Sequence, residues 1–179
     1  ELASAQHFNR YSQWLDTAFT TSVGDNMYVW KGQHEADFFH ESFELMFTAP
    51  SLMERPWYST FGNHDRPLPQ IEYSRKSKRW RFPSGEFQVL GVQIPHRDGT
   101  TDADSATLDL FFHDSVSKFG KFRGQHWQEL SDALERSTAR YKIIVTHYPP
   151  KSGGCHKIEK NARAYYPLAR KFNVTALFV

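Results

Sequence analysis

Apolar positions recur every three or four residues in four segments of the chain, the spacing that places them along one side of a helix. Leu2 to Leu15 carries this pattern, and Asp37 to Phe47 repeats it with Pro50 just beyond its end. The other two segments run from Gly124 to Arg140 and from Lys157 to Phe172. The pattern therefore predicts four helices.

Short apolar runs, rich in β-branched and aromatic residues, lie between these segments and predict strands. Their ranges are Phe19 to Val23, Trp57 to Phe61, Phe87 to Ile94, Leu108 to Phe112, Tyr141 to Val145 and Val174 to Val179. Helices that recur between short strands predict a layered α/β architecture, with antiparallel strands in the middle of the chain. No internal repeat and no linker divides residues 1–179, so we expect a single domain.

Composition limits the classes of function that fit the chain. Its 179 residues are 39% hydrophobic, enough for a substantial core, and the formal net charge is +2 with acids and bases interspersed. That charge gives no argument for a nucleic-acid or membrane surface. No segment reaches the roughly 20 apolar residues that a membrane-spanning helix needs. Cys155 is the single cysteine, so the chain forms no internal disulfide.

Polar residues that can bind metals follow three of the predicted strands. The three stretches are Gly24-Asp25-Asn26, Gly62-Asn63-His64-Asp65 and Thr146-His147. Because sites in open α/β sheets assemble at the carboxyl ends of strands, Asp25, Asn63 and His147 are expected to converge. Each alone fits an ordinary turn, a helix cap or a packed polar residue, but the ordered series favours a metal site. Carboxylate, amide and imidazole donors suit Zn, Mn or Fe.

These motifs, in this order and with Tyr148-Pro149 after His147, resemble the middle blocks of the calcineurin-like metallophosphoesterases. The chain is most similar to the small, tartrate-resistant type of purple acid phosphatase. That narrower resemblance rests on Gly24-Asp25-Asn26-Met27-Tyr28, Pro56-Trp57-Tyr58, and Ser77-Lys78-Arg79-Trp80 followed by Phe82-Pro83. It covers nearly all of the chain. It implies one partial catalytic domain over residues 1–179, a layered metallophosphoesterase-type β-sandwich flanked by helices.

The resemblance implies a metal-binding role for four residues. Asp25 matches the carboxylate that bridges two metal ions, and Tyr28 matches the phenolate ligand of a ferric ion. Asn63 and His147 match an amide and an imidazole ligand of a divalent ion. The implied cofactor is therefore Fe(III) together with Fe, Zn or Mn.

Two histidines match residues that act on the substrate. His64 matches the histidine that contacts the phosphate or protonates the leaving group. His156 stands at the interval after His147 at which the family places a second substrate-side histidine, although the residues between them are unlike the usual sequence. We interpret Asp65 as orienting His64 or its loop.

The resemblance also implies the reaction and its setting. The expected activity is hydrolysis of phosphate monoesters, of small molecules or proteins, by water activated at a dinuclear Fe(III)–M(II) centre. The expected protein is a monomer in a secreted, lysosomal or vacuolar location, without nucleic-acid partners. The family has a further aspartate ligand before the first helix and a Gly-His-x-His turn after the last strand. The domain is therefore expected to be incomplete at both termini.

Two alternative functions remain open at this point. One is a non-catalytic scaffold of the same fold, which the intact ligand-type residues disfavour because a scaffold needs none of them. The other is a phosphodiesterase or nucleotide-hydrolysing relative with a Mn/Zn pair. Tyr28 disfavours that second alternative, because a phenolate ligand suits ferric iron.

Two further patterns have ordinary interpretations. Arg66 is expected to attract phosphate. Four other basic residues, Arg75, Lys76, Lys78 and Arg79, are interpreted as part of a solvated loop. Asn173-Val174-Thr175 fits the N-glycosylation pattern, but its predicted position at the entrance to a strand disfavours modification.

Overall fold

The computed structural model describes residues 2–28, 35–81, 87–96, 98–116, 123–151 and 163–179. The helices are α1 (Leu2–Leu15), α2 (Glu35–Phe39), α3 (Pro50–Met53), α4 (Pro67–Lys76), α5 (Arg123–Arg136) and α6 (Tyr165–Lys171), and a π-helical turn over His40–Glu44 continues α2. The strands are β1 (Thr20–Ser22), β2 (Trp57–Ser59), β3 (Trp80–Arg81), β4 (Phe87–Gln93), β5 (Thr107–His113), β6 (Tyr141–Val145) and β7 (Ala176–Phe178). No described helix is long and apolar enough to cross a bilayer.

The strands form two sheets. The first has the order β1-β2-β3 with both pairs parallel, and the second has the order β4-β5-β6-β7. In the second sheet β4 runs antiparallel to β5, whereas β5, β6 and β7 are parallel to one another. The layered α/β architecture with antiparallel strands in its middle is thereby confirmed.

Strand β5 is buried on both faces because it lies between two layers. Leu110 and Phe112 face the first sheet, and the rings of Phe112 and Tyr58 of β2 lie 5.9 Å apart. Phe111, between them, packs against Leu130 of α5 on the opposite face. The double burial explains why Leu110, Phe111 and Phe112 are apolar in succession, although Asp109 interrupts the apolar run earlier in the strand. The sheets therefore form a sandwich with α5 outside.

An aromatic cluster fills the space between the first sheet and the α2 region. Phe43 lies with its ring centroid 5.2 Å from that of Trp57 and 4.9 Å from that of Trp80. Phe39 and Phe47 extend the cluster on either side, at 5.6 Å from Trp80 and 4.7 Å from Trp57. The π-helical turn keeps these phenylalanines, spaced four apart, on one face. The cluster joins β2 and β3 to the segment that follows β1.

Arg79 lies under this cluster, with only 3% of its surface exposed. Its guanidinium pairs with the Glu44 carboxylate at 2.7 Å and lies 4.3 Å from the ring centroid of Phe43. It also donates to the backbone carbonyls of Phe43, Glu44, Phe47 and Leu52. These carbonyls lie at or near the ends of short helical turns, where carbonyls commonly need partners from outside the turn. The Phe43 carbonyl also accepts the backbone N–H groups of Met46 and Phe47. The interpretation of Arg79 as part of a solvated loop is therefore wrong, because it is a buried structural residue.

Several elements differ from the predicted ones for identifiable reasons. Helices α3 and α4 are missing from the prediction because each begins with a proline, Pro50 and Pro67, which resembles a turn signal. Proline is tolerated at a first helical position, where its missing N–H would have no partner. The predicted helix from Gly124 ends at Arg136, four residues early. Residues 157–162 of the last predicted helix, and Phe82-Pro83, lie outside the described residues.

We predict that Arg79→Met lowers the free energy of unfolding by about 3 kcal/mol or more, because it removes the cationic partner of the Glu44 carboxylate and a buried hydrogen-bond donor to four carbonyls. Arg75→Met makes the same chemical change at an exposed position of α4 and should shift stability by roughly 0.5 kcal/mol or less. Urea unfolding of both variants provides the measurement. Equal, small effects would contradict the structural role of Arg79.

Candidate metal centre

The loops that follow β1 and β2 contact each other through two glycines. A Cβ atom on Gly24 would lie 2.6 Å from the backbone nitrogen of Gly62. A Cβ atom on Gly62 would lie 2.1 Å from both the backbone nitrogen and Oδ1 of Asp25. Gly24 also has a backbone φ of +98°, which residues with a side chain rarely adopt. Both positions therefore require glycine for the two loops to meet.

Asp25 lies at this contact, and both of its carboxylate oxygens have partners. Oδ1 accepts the backbone N–H of His64 at 3.0 Å, and Oδ2 accepts the Tyr28 hydroxyl at 2.7 Å. Its φ of +54° is uncommon for a residue with a side chain. Burial alone would raise the Asp25 pKa, but the two hydrogen bonds and the nearby imidazoles outweigh burial and hold the pKa below its ordinary value. Asp25 is thus stabilised as a carboxylate.

Tyr28 and His64 lie side by side at the outer edge of the site. Their ring centroids are 4.9 Å apart with the planes inclined by 30°, and Tyr28 is 50% exposed. The hydrogen bond to the Asp25 carboxylate raises the pKa of Tyr28 to about 12, because that bond stabilises the protonated phenol. Without a cation nearby, Tyr28 is therefore a neutral donor.

Asn63 and His147 complete the group from the ends of β2 and β6. The Nδ1 atom of His147 lies 3.0 Å from the Val23 carbonyl oxygen, which can only accept, so this nitrogen carries a proton. Nε2 lies 3.0 Å from Oδ1 of Asn63 and 3.5 Å from Oδ1 of Asp25. Both of these oxygens can only accept, so either a proton or a metal ion on Nε2 would satisfy the contact. A backbone carbonyl that fixes the tautomer in this way is typical of metal-binding histidines.

The donor chemistry of this group fits a metal ion. Oδ1 of Asp25 and Oδ1 of Asn63 both face Nε2 of His147, and a metal ion between the three atoms would stabilise this arrangement, as a proton on Nε2 would. Oxygen and imidazole nitrogen donors suit Zn, Mn and Fe. Within the part of the chain that the structure describes, no three His, Cys, Asp or Glu side chains form a metal-binding cluster. The set is therefore mixed and partial, with an amide and a phenol beside one carboxylate and one imidazole.

Asp65 holds the two loops together from behind. It is 2% exposed; Oδ1 accepts the backbone N–H of Met27 at 2.9 Å, and Oδ2 accepts that of Gly62 at 2.7 Å. Burial raises its pKa despite these hydrogen bonds. The Asn26 amide reaches the same carboxylate at 3.1 Å and the side chain of Gln70 at 3.2 Å. Asn26 and Gln70 are supporting residues that the sequence analysis missed; only the position of Asn26 next to Asp25 could have indicated one of them.

A second buried group supports the end of β6. The Tyr165 hydroxyl lies 2.5 Å from Nδ1 of His113 and 2.8 Å from Oγ1 of Thr146, the residue before His147. Burial raises the pKa of Tyr165. These contacts tie α6 to the ends of β5 and β6. Tyr165 reads as an ordinary core aromatic in the sequence, so no local signal could have identified it.

The structure therefore brings Asp25, Tyr28, Asn63, His64 and His147 together. Their ligand and catalytic roles stay predictions. His156 lies outside the described residues.

Sequence similarity to known proteins extends over nearly the whole chain. The sequence profile of the calcineurin-like phosphoesterases matches residues 5–179. The chain belongs to the calcineurin-like phosphoesterase family. It is 32% identical to human tartrate-resistant acid phosphatase type 5 and 36% identical to the pig protein of that name. Both alignments cover 98% of this chain. Purple acid phosphatase 3 of Arabidopsis thaliana is 31% identical over 79% of the chain and 42% of its own length.

These matches confirm the resemblance that the motifs predicted. The chain spans 58% of the length of the human phosphatase and 56% of the pig protein. Among solved structures, the Plasmodium protein titled GAP50, the anchor in the inner membrane complex, superposes with a TM-score of 0.76. The superposition covers 97% of this chain and 58% of the Plasmodium chain, and the two sequences are 17% identical. This likeness shows the fold alone, and it confirms the phosphoesterase architecture.

We predict that Gly62→Ala destabilises the phosphoesterase chain by about 1–3 kcal/mol, because the added methyl group overlaps Asp25 and forces the loops apart. Gly91→Ala is the matched control, since a Cβ there would meet its nearest atom, Oδ1 of Asp109, at 3.5 Å. That control should leave stability unchanged or slightly higher. Unfolding curves of the two variants test this, and a neutral Gly62→Ala would show that the loop contact is not required.

Proposed function

We propose that the full protein is a metal-dependent acid phosphatase that hydrolyses phosphate monoesters at a dinuclear Fe(III)–M(II) centre. The observation that carries this proposal is the convergence of Asp25, Asn63 and His147, with Tyr28 bonded to the same carboxylate. The family membership supports phosphoesterase chemistry. Tyr28 supports the narrower acid phosphatase assignment, because the phenolate suits ferric iron.

Four residues of the chain would hold the metals. Asp25 would contribute its carboxylate to both ions, Tyr28 would serve the ferric ion, and Asn63 with His147 would serve a divalent Fe, Zn or Mn ion. When bound, such a pair of ions would lower the pKa of a water molecule and offset the negative charge of the phosphate. A nearby cation would also favour the ionised form of Tyr28, reversing the effect of its present bond to Asp25.

His64 is proposed to supply a proton to the leaving alkoxide. Its backbone N–H bonds to Asp25 at 3.0 Å, while its exposed ring stacks beside Tyr28 at the entrance to the site. The side chain is therefore available to a substrate, and the backbone alone serves the carboxylate. A positioned proton donor typically contributes about 10²–10⁴ in rate. His156 is proposed as a second substrate-side histidine.

The setting of the enzyme is proposed from its relatives and its charge. We propose a monomer that acts on phosphorylated small molecules or proteins in a secreted, lysosomal or vacuolar location. The net charge of +2, with both signs interspersed, supports a function without nucleic-acid partners.

Arg66 is exposed at the start of α4, directly after the Asn63–Asp65 turn, where it would attract phosphate.

The two alternative functions have less support. A non-catalytic scaffold would not require Asp25, Asn63 and His147 to face one another. A phosphodiesterase with a Mn/Zn pair would not require a tyrosine bonded to the Asp25 carboxylate.

We predict that Tyr28→Phe abolishes a visible charge-transfer band in the complete, metal-loaded protein, because the variant lacks the phenolate. Absorption spectroscopy with metal analysis provides the measurement, and Tyr11→Phe, on the exposed surface of α1, should leave the band intact. A colourless wild-type protein that contains Zn or Mn would favour the phosphodiesterase. A wild-type protein without metal, even after reconstitution, would favour the scaffold.

We predict that His64→Ala lowers kcat by about 10²–10⁴ while metal content stays nearly intact, because only the backbone of His64 contacts Asp25. Steady-state kinetics on a phosphate monoester, with metal analysis of the same sample, provides the test. His96→Ala, which removes an exposed imidazole paired with Asp102, is the control and should leave kcat unchanged. Loss of metal from His64→Ala would identify His64 as a ligand, and an unchanged kcat would exclude it as the proton donor.

A further inference from the structure

The chain contains one Asn-x-Ser/Thr sequence, Asn173-Val174-Thr175. The middle residue is valine, so the pattern is a competent acceptor sequence for N-glycosylation. The sequence suggests that this stretch enters a strand, but β7 begins only at Ala176. The whole sequon therefore lies in the connection between α6 and β7.

Asn173 occupies the left-handed position that ends α6. Its φ is +54°, and the backbone N–H of Val174 donates to the carbonyl of Ala169 at 2.9 Å, the bond expected for a Schellman motif. Asn173 is exposed, and none of the hydrogen bonds among the described residues uses its side-chain amide. The amide is thus available at the surface, in a backbone conformation that asparagine tolerates well.

We infer that Asn173 is a site of N-linked glycosylation. The inference rests on the proposed secretory location, because the donor, an oligosaccharide on a polyprenyl diphosphate, is met in that pathway. The amide nitrogen forms a bond to the anomeric carbon of the sugar, and the bond from that carbon to the diphosphate oxygen breaks. The diphosphate leaves as the anion, and the amide nitrogen releases one proton.

The folded structure accommodates the sugar without loss of packing. Thr175 accepts the backbone N–H of Lys142 through Oγ1 at 3.2 Å and donates its own N–H to the Lys142 carbonyl at 2.7 Å. These bonds form on folding, so the hydroxyl is free when the transferase acts on the extended nascent chain. Afterwards they hold Thr175 against β6, while Asn173 stays exposed in the turn.

The glycan would lie far from the candidate metal centre. Thr175 is beside Lys142 at the start of β6, whereas His147 follows the end of the same strand. Five residues of extended chain separate Lys142 from His147, roughly 16 Å. The sugar would therefore cover the opposite end of the second sheet and leave substrate access unchanged.

The test is glycopeptide mass spectrometry of the full-length protein from its native secretory pathway. Release with peptide N-glycosidase in heavy-oxygen water should convert the Asn173 side chain to a labelled carboxyl group. Asn173→Gly keeps the left-handed helix cap and should lose the glycan, whereas Thr175→Ser keeps the sequon and should retain it. Thr175→Val should lose the glycan. The kcat/KM of Asn173→Gly on a phosphate monoester should stay within twofold of the wild type.

The outcomes separate this site from the proposed function. An unmodified Asn173 in a protein that carries glycans elsewhere would overturn the site and leave the secretory location standing. A protein with no glycan that remains in the cytosol would overturn both the site and the location. Phosphatase activity, assayed on the same samples, tests the proposed reaction separately from either result. Retention of a glycopeptide spanning residue 173 in Asn173→Gly would also contradict the inference.

Discussion

The close approach of Gly24 and Gly62 is the constraint on which the candidate metal centre depends. Each glycine leaves room for the backbone of the other loop, and Gly62 also leaves room for the Asp25 carboxylate. Because of this contact, a carboxylate from the end of β1 can receive the backbone N–H of His64 after β2. The same contact places Asn63 beside His147 from the second sheet. The absence of side chains at these two positions thus allows the donor atoms of the two loops to lie close together.

Buried polar residues maintain this approach from behind. Asp65 accepts backbone N–H groups from both loops, so neither can move away without leaving a buried partner unsatisfied. In the second sheet, the Tyr165 hydroxyl holds the end of β6 in a similar way, through its hydrogen bond to Thr146. Further out, the Arg79–Glu44 pair and the aromatic cluster fix β2 and β3 against the α2 region. The site is therefore exposed at its surface but rigidly supported below.

The sequence predicts the parts of this arrangement that depend on local patterns. Helix α1 has the predicted bounds, and the convergence of Asp25, Asn63 and His147 follows from their positions after strands. Contacts between residues far apart in the chain leave little trace in the local sequence pattern. Arg79 is buried by carbonyls 27 to 36 residues away, so its local sequence does not distinguish it from its exposed basic neighbours. The role of Tyr165 likewise depends on strands far from it in the chain. The N-terminal prolines of α3 and α4 show a different difficulty, because one residue type serves both turns and first helical turns.

Anomalous X-ray diffraction from crystals of the complete protein, with data collected at the absorption edges of Fe, Zn and Mn, would show whether metal ions bind to this group of residues. We predict a metal peak within bonding distance of a carboxylate oxygen of Asp25, Oδ1 of Asn63 and Nε2 of His147. We also predict an iron peak next to the hydroxyl oxygen of Tyr28. A metal bound elsewhere, or none in protein that has been reconstituted with all three metals, would contradict the assignment of this group as a metal centre.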